Sequence, residues 1–587
     1  MVMAVRCLLQ LDDGRGSKKQ PYCSQRPRCD VSDPYRRTNG QCNNLRNPLL
    51  GAASTPKQRF LPPAYEDGKM FSFSDEQQQR PEACFSIRVE RGDPFFPRDQ
   101  SCMHFVRDQG VPPLKCDNGI RHQLNERTSF IDGSALYGSS RERESELRTG
   151  YFGRMRENRE NLLPPERCPA IITTRFHCFA AGDPRASLSP AGNVLFITWL
   201  RRHNLIADAL RRATGISNDE TLFQETKRIV IAELQHLTYN EYLPAMLDEI
   251  HLRWFNLRSR RSGYQDVYNS KVDPRTSNAF GAAAIRAGHG EIRNDVGYDK
   301  GFGRVQVFPL NENILRPDLM FNNGYEYMAR WMSKTPQSRS DRFVAGGLRN
   351  GLPLTFITGM HPSETLTQDL IAIDIQRGRD NGVPSYNAFR EFCGLPRARF
   401  FYIGPGGLID HPLVAVLKLR KTYKHPDDID LLVGGMTETP RRQSILGPTF
   451  QCLIAYQFYL YKHGDRFWYE RTFKENPLAA FTPAQLAEIK QMTYAKVQCS
   501  TMKNIGIMHS FQPRLMERPD RPRNSPLACD LILRESPIGF DISPFAQQLL
   551  ELGGRRRQAP REWVYSPLNP GMRDILSNKN PKSQRYV

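Results

Sequence analysis

The chain has 587 residues, 82 Lys+Arg against 62 Asp+Glu for a formal net charge of +20, 39% hydrophobic residues and a mean hydropathy of −0.57. That balance excludes a polytopic membrane protein and a wholly disordered chain, and no apolar run approaches a membrane span. The 43 Pro and 42 Gly follow no strict period, and no repeat of roughly 20 to 50 residues recurs, so collagen, solenoid and propeller arrays are out.

In chain order, residues 1 to about 70 are polar, Pro-rich and Cys-bearing and predict extended loop, and 75–82 predict a hydrophilic link. The opening MVMAVRCLLQLD carries no full apolar stretch before its first acids and does not read as a signal peptide. From Leu195 to Leu210 apolar residues recur with a helical period, and Ser217 to Glu220 form a capping-box pattern for a second helix ending near Pro244. Further helices are predicted over 276–288, 324–333, 364–373, 411–423, 445–462 and 483–493, strand signals are sparse, and Gly553 to Val587 predict a basic tail. One large, mainly α domain is expected.

Thirteen cysteines without a C-x-x-C pair argue against a zinc ribbon and for disulfides, hence a secreted or lumenal protein. The basic excess includes clusters at Arg258–Arg261 and Arg555–Arg557. With no nucleic-acid-binding motif beside them, affinity for anionic surfaces is expected rather than specific nucleic-acid reading.

Four stretches can carry chemistry. Ser277 to Gly288 is alanine-rich and ends at His289; small side chains let a flat body lie close, and an imidazole at the end can bind its metal or be structural. In D-I-Q-R-G-R-D-N-G, Asp374 can accept from a ligating imidazole's second nitrogen, while Arg377 and Arg379 can bind carboxylates or form internal ion pairs. C-F-A-A-G-D-P-R places Arg185 in a turn-rich segment, followed by R-R-H-N, where His203 falls on the apolar stripe and reads as a core residue. In T-S-F-I-D-G-S, Thr128, Phe130, Asp132 and Ser134 place oxygens at alternate residues, a pattern that suits a hard cation or a plain polar turn.

Together, T-S-F-I-D-G-S-A-L-Y-G-S, C-F-A-A-G-D-P-R, R-R-H-N, A-G-H, I-Q-R-G-R-D-N-G-V-P-S-Y-N and H-G-D-R-F-W-Y-E resemble, in order, the animal haem peroxidase family of the peroxinectin, myeloperoxidase and thyroid peroxidase type. The resemblance runs from about Cys29 to Asp541. It implies a mainly helical fold around haem b, calcium as a second cofactor, and oxidation of a small reducing substrate or halide by hydrogen peroxide. The setting it implies is extracellular, in oxidative-stress response or immune or matrix cross-linking. Carried over, His289 is the axial iron ligand, Arg286 lies near the haem on that side, Arg377 binds a propionate and Arg185 is the distal arginine. Thr128, Phe130, Asp132 and Ser134 are the calcium loop. The implied disulfides are Cys29–Cys42, Cys168–Cys178, Cys393–Cys452 and Cys499–Cys529. The implied organisation is a 1–28 extension, a 29–550 peroxidase-like domain shortened near 69–83, and a 551–587 tail.

The pattern also departs from the family. P-A-Y-E-D-G, ending at Gly68, is followed almost at once by C-F-S-I from Cys84, so the segment that holds the family's distal histidine is missing, and none of the 12 histidines precedes an Asp. Arginine is permanently charged and cannot serve alone as the general base that peroxide cleavage needs. One calcium ligand and one haem-linking carboxylate fall in the same gap; the other such carboxylate is Leu188 here. Cys84 and Cys102 lose their family partners unless they pair with each other. Asp374 replaces a common Asn, Arg202 a Glu, and Asn381 a His. Three readings follow: an active peroxidase, a haem-binding or haem-free pseudo-enzyme, and an adhesive surface protein using Arg91-Gly92-Asp93.

Overall fold

Capping side chains set where several of the helices begin. The computed structural model describes residues 27–65, 86–96, 98, 100–103, 105–111, 120–168, 177–349, 351–353, 367–503, 509–534 and 536–556. Residues 27–65, expected to be extended, run mostly through turns, with Thr55–Pro56 paired to Leu124–Asn125; strands β1 (Ile87–Arg88) and β2 (Cys102–Met103) then form a two-stranded ladder. Helix α1 (Pro190–Thr214) opens on the Ser189 side chain, which accepts from Gly192 N, with Pro190 in the first turn where its missing N–H is not needed. Helix α2 (Asp219–Leu237) packs against α1. Its cap is Asn218, accepting from Thr221 N at 2.8 Å, rather than Ser217 as the sequence predicts; the two residue types cap about equally well. Beyond Leu237 the helix continues through a π turn, Thr238–Tyr242, into Leu243–Met246.

The helix predicted over 276–288 is two pieces. Helix α3 (Asn278–Ala282) opens on Ser277, breaks at Ala283 (φ −137°, ψ −70°), and resumes as a 3-10 segment, Ala284–Glu291. A hairpin of β3 (Asp295–Asp299) and β4 (Val305–Pro309) follows, then α4 (Gly324–Lys334), close to the predicted span. Helix α5 is Leu370–Asp380, not 364–373: the Asp369 carboxylate accepts from Ile371 N and Ala372 N and fixes the start there. Helices α6 (Leu413–Thr422), α7 (Leu431–Thr437), α8 (Pro448–His463) and α9 (Pro483–Lys490) follow, with α10 (Ser543–Arg556) packed on α1. Helix α10 runs into the stretch expected to be a tail. The link at 75–82, residues 557–587, and Cys7, Cys23, Cys84 and Cys116 lie outside the described residues.

The chain is mainly α-helical, and its sheets among the described residues are two-stranded ladders. One continuous apolar core runs from Leu136 to Leu549, with Trp468 fully buried in it. All four expected disulfides are present. Cys102 is a free thiol. No described helix is long and apolar enough to cross a membrane.

Candidate functional site

The break at Ala283 gives the segment that follows its direction. Ala282, Ala283, Ala284 and Ala287 are buried, and Arg286 turns back so that its Nε donates to Gly281 O at 3.0 Å. The segment lies against α3, α7 and α8. The four alanines let the segment pack closely against its neighbours, and nothing lies within 4 Å of where a side chain at Gly288 would begin. His289 follows, with its side chain 26% exposed.

Helix α5 packs on α3 and α7 and brings Asp374 beneath this segment. The Asp374 carboxylate is fully buried and accepts twice: from His289 Nδ1 at 2.5 Å and from Arg286 Nη1 at 2.5 Å. His289 Nδ1 is thereby occupied, and Nε2 has no hydrogen-bond partner among the described residues. A ligating histidine is commonly oriented in this way, one ring nitrogen held by a carboxylate and the other presented to a metal.

One turn further along α5, Arg377 lies over Phe105 and donates to Val106 O at 2.9 Å; it pairs with Asp108 at 2.8 Å and more distantly with Asp380. Arg379 pairs with Asp430. Both arginines therefore form the internal ion pairs that were one of the two readings of this motif. Asp108 was not singled out from sequence, yet it gathers Lys57, Arg377 and Asn381. Burial pushes its carboxyl upward, but Lys57, Arg377 and Asn381 outweigh burial and hold it below the ordinary carboxylate range. Asn381, where the family has His, is fully buried in this network and also bonds Asn278.

Arg185 follows the extended strand pair around Cys178 and sits in a short 3-10 turn, Pro184–Ser187, capped by Asp183. Its guanidinium pairs with Asp183 at 2.6 Å and stays 70% exposed. Burial acts to raise Asp183, but Arg185 and Arg127 prevail and hold it at about 2, so it is ionised at any working pH. Leu188, next along, is exposed.

In the 128–134 loop, Thr128 Oγ1 donates to Asp132 Oδ2 at 2.6 Å and lies 3.3 Å from Ser134 Oγ, while Asp132 Oδ1 accepts from Ser134 N. Three side-chain oxygens thus converge, all hard donors, with one carboxylate among them. Among the described residues no three His, Cys, Asp or Glu side chains cluster as a metal site. His203 is a core residue, as expected: fully buried, it bonds Tyr137 Oη at 2.9 Å and Gly153 O at 2.8 Å, and burial lowers its pKa to about 3. Arg202 is buried against Glu233 at 2.5 Å. Arg91 and Gly92 are exposed on a turn with Gly92 at φ 89°, closed by Asp93 N donating to Glu90 O.

The family model described as animal haem peroxidase matches residues 35–72 and 69–516, in two stretches that meet where the sequence departs from the family. A peroxidase-like protein of Margaritifera margaritifera is 36% identical, over 86% of this chain and 72% of its own length. A chorion peroxidase of Drosophila melanogaster is 32% identical over 87% and 71%, and a lactoperoxidase of Mesocricetus auratus 30% identical over 83% and 78%. Peroxidase A from Dictyostelium discoideum superposes with a TM-score of 0.66 at 25% identity, covering 81% of this chain and 99% of that one. A fatty acid alpha-dioxygenase from Oryza sativa shares the fold, with a TM-score of 0.65 at 17% identity over 92% of each chain. The chain belongs to the animal haem peroxidase family. Membership implies haem as the cofactor, and the names of the relatives support a haem peroxidase function.

Proposed function

We propose that this chain holds haem b on His289 and uses hydrogen peroxide to oxidise a small reducing substrate or a halide. The observation that carries the reading is the His289–Asp374 contact, which occupies Nδ1 and leaves Nε2 without a partner among the described residues, next to the open space at Gly288. Those residues fit a flat, iron-bearing group. Arg286 sits on the same side, and Arg377 is the propionate partner: Nη1 makes its contacts with Val106 O, Asp108 and Asp380, and the other guanidinium N–H groups would bind the carboxylate. Bound there, haem supplies the electron transfer between peroxide and donor.

The chain's own groups do the rest. Asp374 holds the proton on His289 Nδ1 and fixes the ring plane. Arg185, permanently charged and presented by Asp183, polarises and orients peroxide by donation. The step without a clear owner is proton removal. Among the described histidines, His203, His236, His251, His411 and His463 are buried and engaged in hydrogen bonds. The segment near 69–83, which the sequence reads as shortened, favours a second reading, a haem-binding pseudo-peroxidase. Haem reconstitution separates the outcomes. A Soret band lost in His289→Ala supports the site, and no Soret band in the unaltered chain sinks it. With the band present, peroxide-dependent guaiacol oxidation supports the enzyme, and its absence supports the pseudo-enzyme.

Calcium at Thr128, Phe130, Asp132 and Ser134, a secreted location, a 29–550 peroxidase domain and affinity for anionic surfaces belong to the same reading. The disulfides, the hard-oxygen loop and the +20 charge support them.

A further inference from the structure

Helix α6 and the loop before it expose several large apolar side chains that no other described residue covers. Ala415, Val416 and Leu419 turn inward and are buried, Val416 and Leu419 in a small cluster with Tyr386, Leu408 and Ile429. The opposite face carries Leu413, Val414 and Leu417, each at least half exposed, and the loop adds Phe400, Tyr402 and Ile403. The Phe400 and Tyr402 rings lie 6.3 Å apart. By the helical repeat, Arg420 and Lys418 flank the exposed apolar stripe and Lys421 lies within it.

The charge on this surface is of one sign and unpaired. Arg399, Lys418, Arg420, Lys421 and Lys424 are exposed and make no ion pair or side-chain hydrogen bond among the described residues. Elsewhere the arginines of this chain are commonly paired, as Arg379 is with Asp430 and Arg397 with Glu391 and Asp427. An apolar stripe within unpaired long-stemmed cations is the composition of an element that lies in a bilayer interface, stems along the acyl boundary and charges at the headgroups. A second copy of the chain does not suit it, because a twofold contact would set these cations against themselves. Residues 557–587, with six Lys+Arg against two Asp+Glu, repel it as well.

We propose that the 399–424 surface docks on an anionic lipid bilayer, with Leu413, Val414 and Leu417 entering the interface and Lys418, Arg420 and Lys421 meeting acidic headgroups. No haem is required, so failure of this proposal leaves the peroxidase reading untouched.

Vesicle flotation of the full chain at physiological ionic strength tests it, with phosphatidylcholine vesicles containing or lacking phosphatidylserine. Binding only to the serine-lipid vesicles is expected. Lys418→Gln/Lys421→Gln should weaken it about thirtyfold, at the usual contribution of a basic residue near an anionic surface. Leu413→Ser/Leu417→Ser should weaken it about tenfold or more, while Phe302→Ser, at the exposed tip of the β3–β4 hairpin, should leave it unchanged. Thermal melts report whether each variant is folded, and the lysine pair carries the test if the leucine pair is not. No binding to serine-lipid vesicles, or equal binding by all variants, overturns the proposal. So does self-association abolished by the leucine pair, or capture by polyglutamate with none by vesicles.

Discussion

His289 Nδ1 donates to Asp374 Oδ2 across 2.5 Å, and the second oxygen of the same carboxylate accepts from Arg286 at the same distance. Asp374 is thus shared between an imidazole and a guanidinium rather than devoted to the imidazole. Asp374→Ala should weaken haem retention about tenfold to a hundredfold, the usual cost of removing a group that orients a metal ligand. Asp374→Asn should keep haem and move its midpoint potential positive, since a neutral amide no longer stabilises ferric iron. Haem titration followed by spectroelectrochemistry reads both. Unchanged haem affinity in Asp374→Ala would remove the positioning role.

The buried pair of Arg202 and Glu233 makes a second prediction. Arg202 also donates to Ser500 Oγ at 3.0 Å and to Ile538 O at 2.7 Å, so its guanidinium links α1 and α2 to the C-terminal part of the core. Arg202→Met leaves Glu233 charged and alone in the interior and should cost about 3–5 kcal/mol in denaturant unfolding. Arg202→Met/Glu233→Met should recover much of that loss. A single variant as stable as the parent would show that Glu233 finds another partner or a proton.

Acidification should destabilise the fold through its neutral imidazoles. Burial lowers His203 to about 3, and His236, His411 and His463 to about 4, all below the unfolded value of 6.5. Their contribution is complete above about pH 6.5 and is lost as pH falls, at about 1.4 kcal/mol per group per pH unit. Glu241 acts in the opposite sense: burial raises it to about 7, so the folded state loses stability as pH rises from 4.5 through 7. Glu241→Gln should therefore gain up to about 3 kcal/mol at neutral pH and steepen the loss on acidification. Urea unfolding at stepped pH checks both slopes, and a flat profile for the parent would contradict them.

The convergence of Thr128, Asp132 and Ser134 predicts a metal-dependent melt. A chelator should lower the melting temperature of the parent chain, added calcium should restore it, and Asp132→Ala should be insensitive to both. If chelation leaves the parent's melting curve in place, the loop is held by its own hydrogen bonds alone.

Much of this arrangement is legible in the sequence because its signals are local. The A-G-H ending, the 128–134 loop and the helical period after Leu195 are each contained within a few turns of chain. The four disulfide pairs came from resemblance, not spacing, and all four are present. What escaped is decided by distant partners. Ala283 breaks its helix and Arg286 turns back to Gly281 while reaching Asp374, 88 residues away, which no local pattern encodes. Asp108 looks like any loop acid until α5 brings Arg377 to it. The start of α5 turned on one choice among several polar residues, and Asp369 won by bonding two backbone N–H groups at once.

Cys393 and Cys452 close a span of 59 residues that contains the whole 399–424 surface. A protease that nicks the exposed loop between them would therefore release nothing. The two fragments would migrate as one molecule on a non-reducing gel and part only when a reductant opens the bond. The 399–424 stretch is thus fastened at both ends, and a cut there need not shed half of the protein.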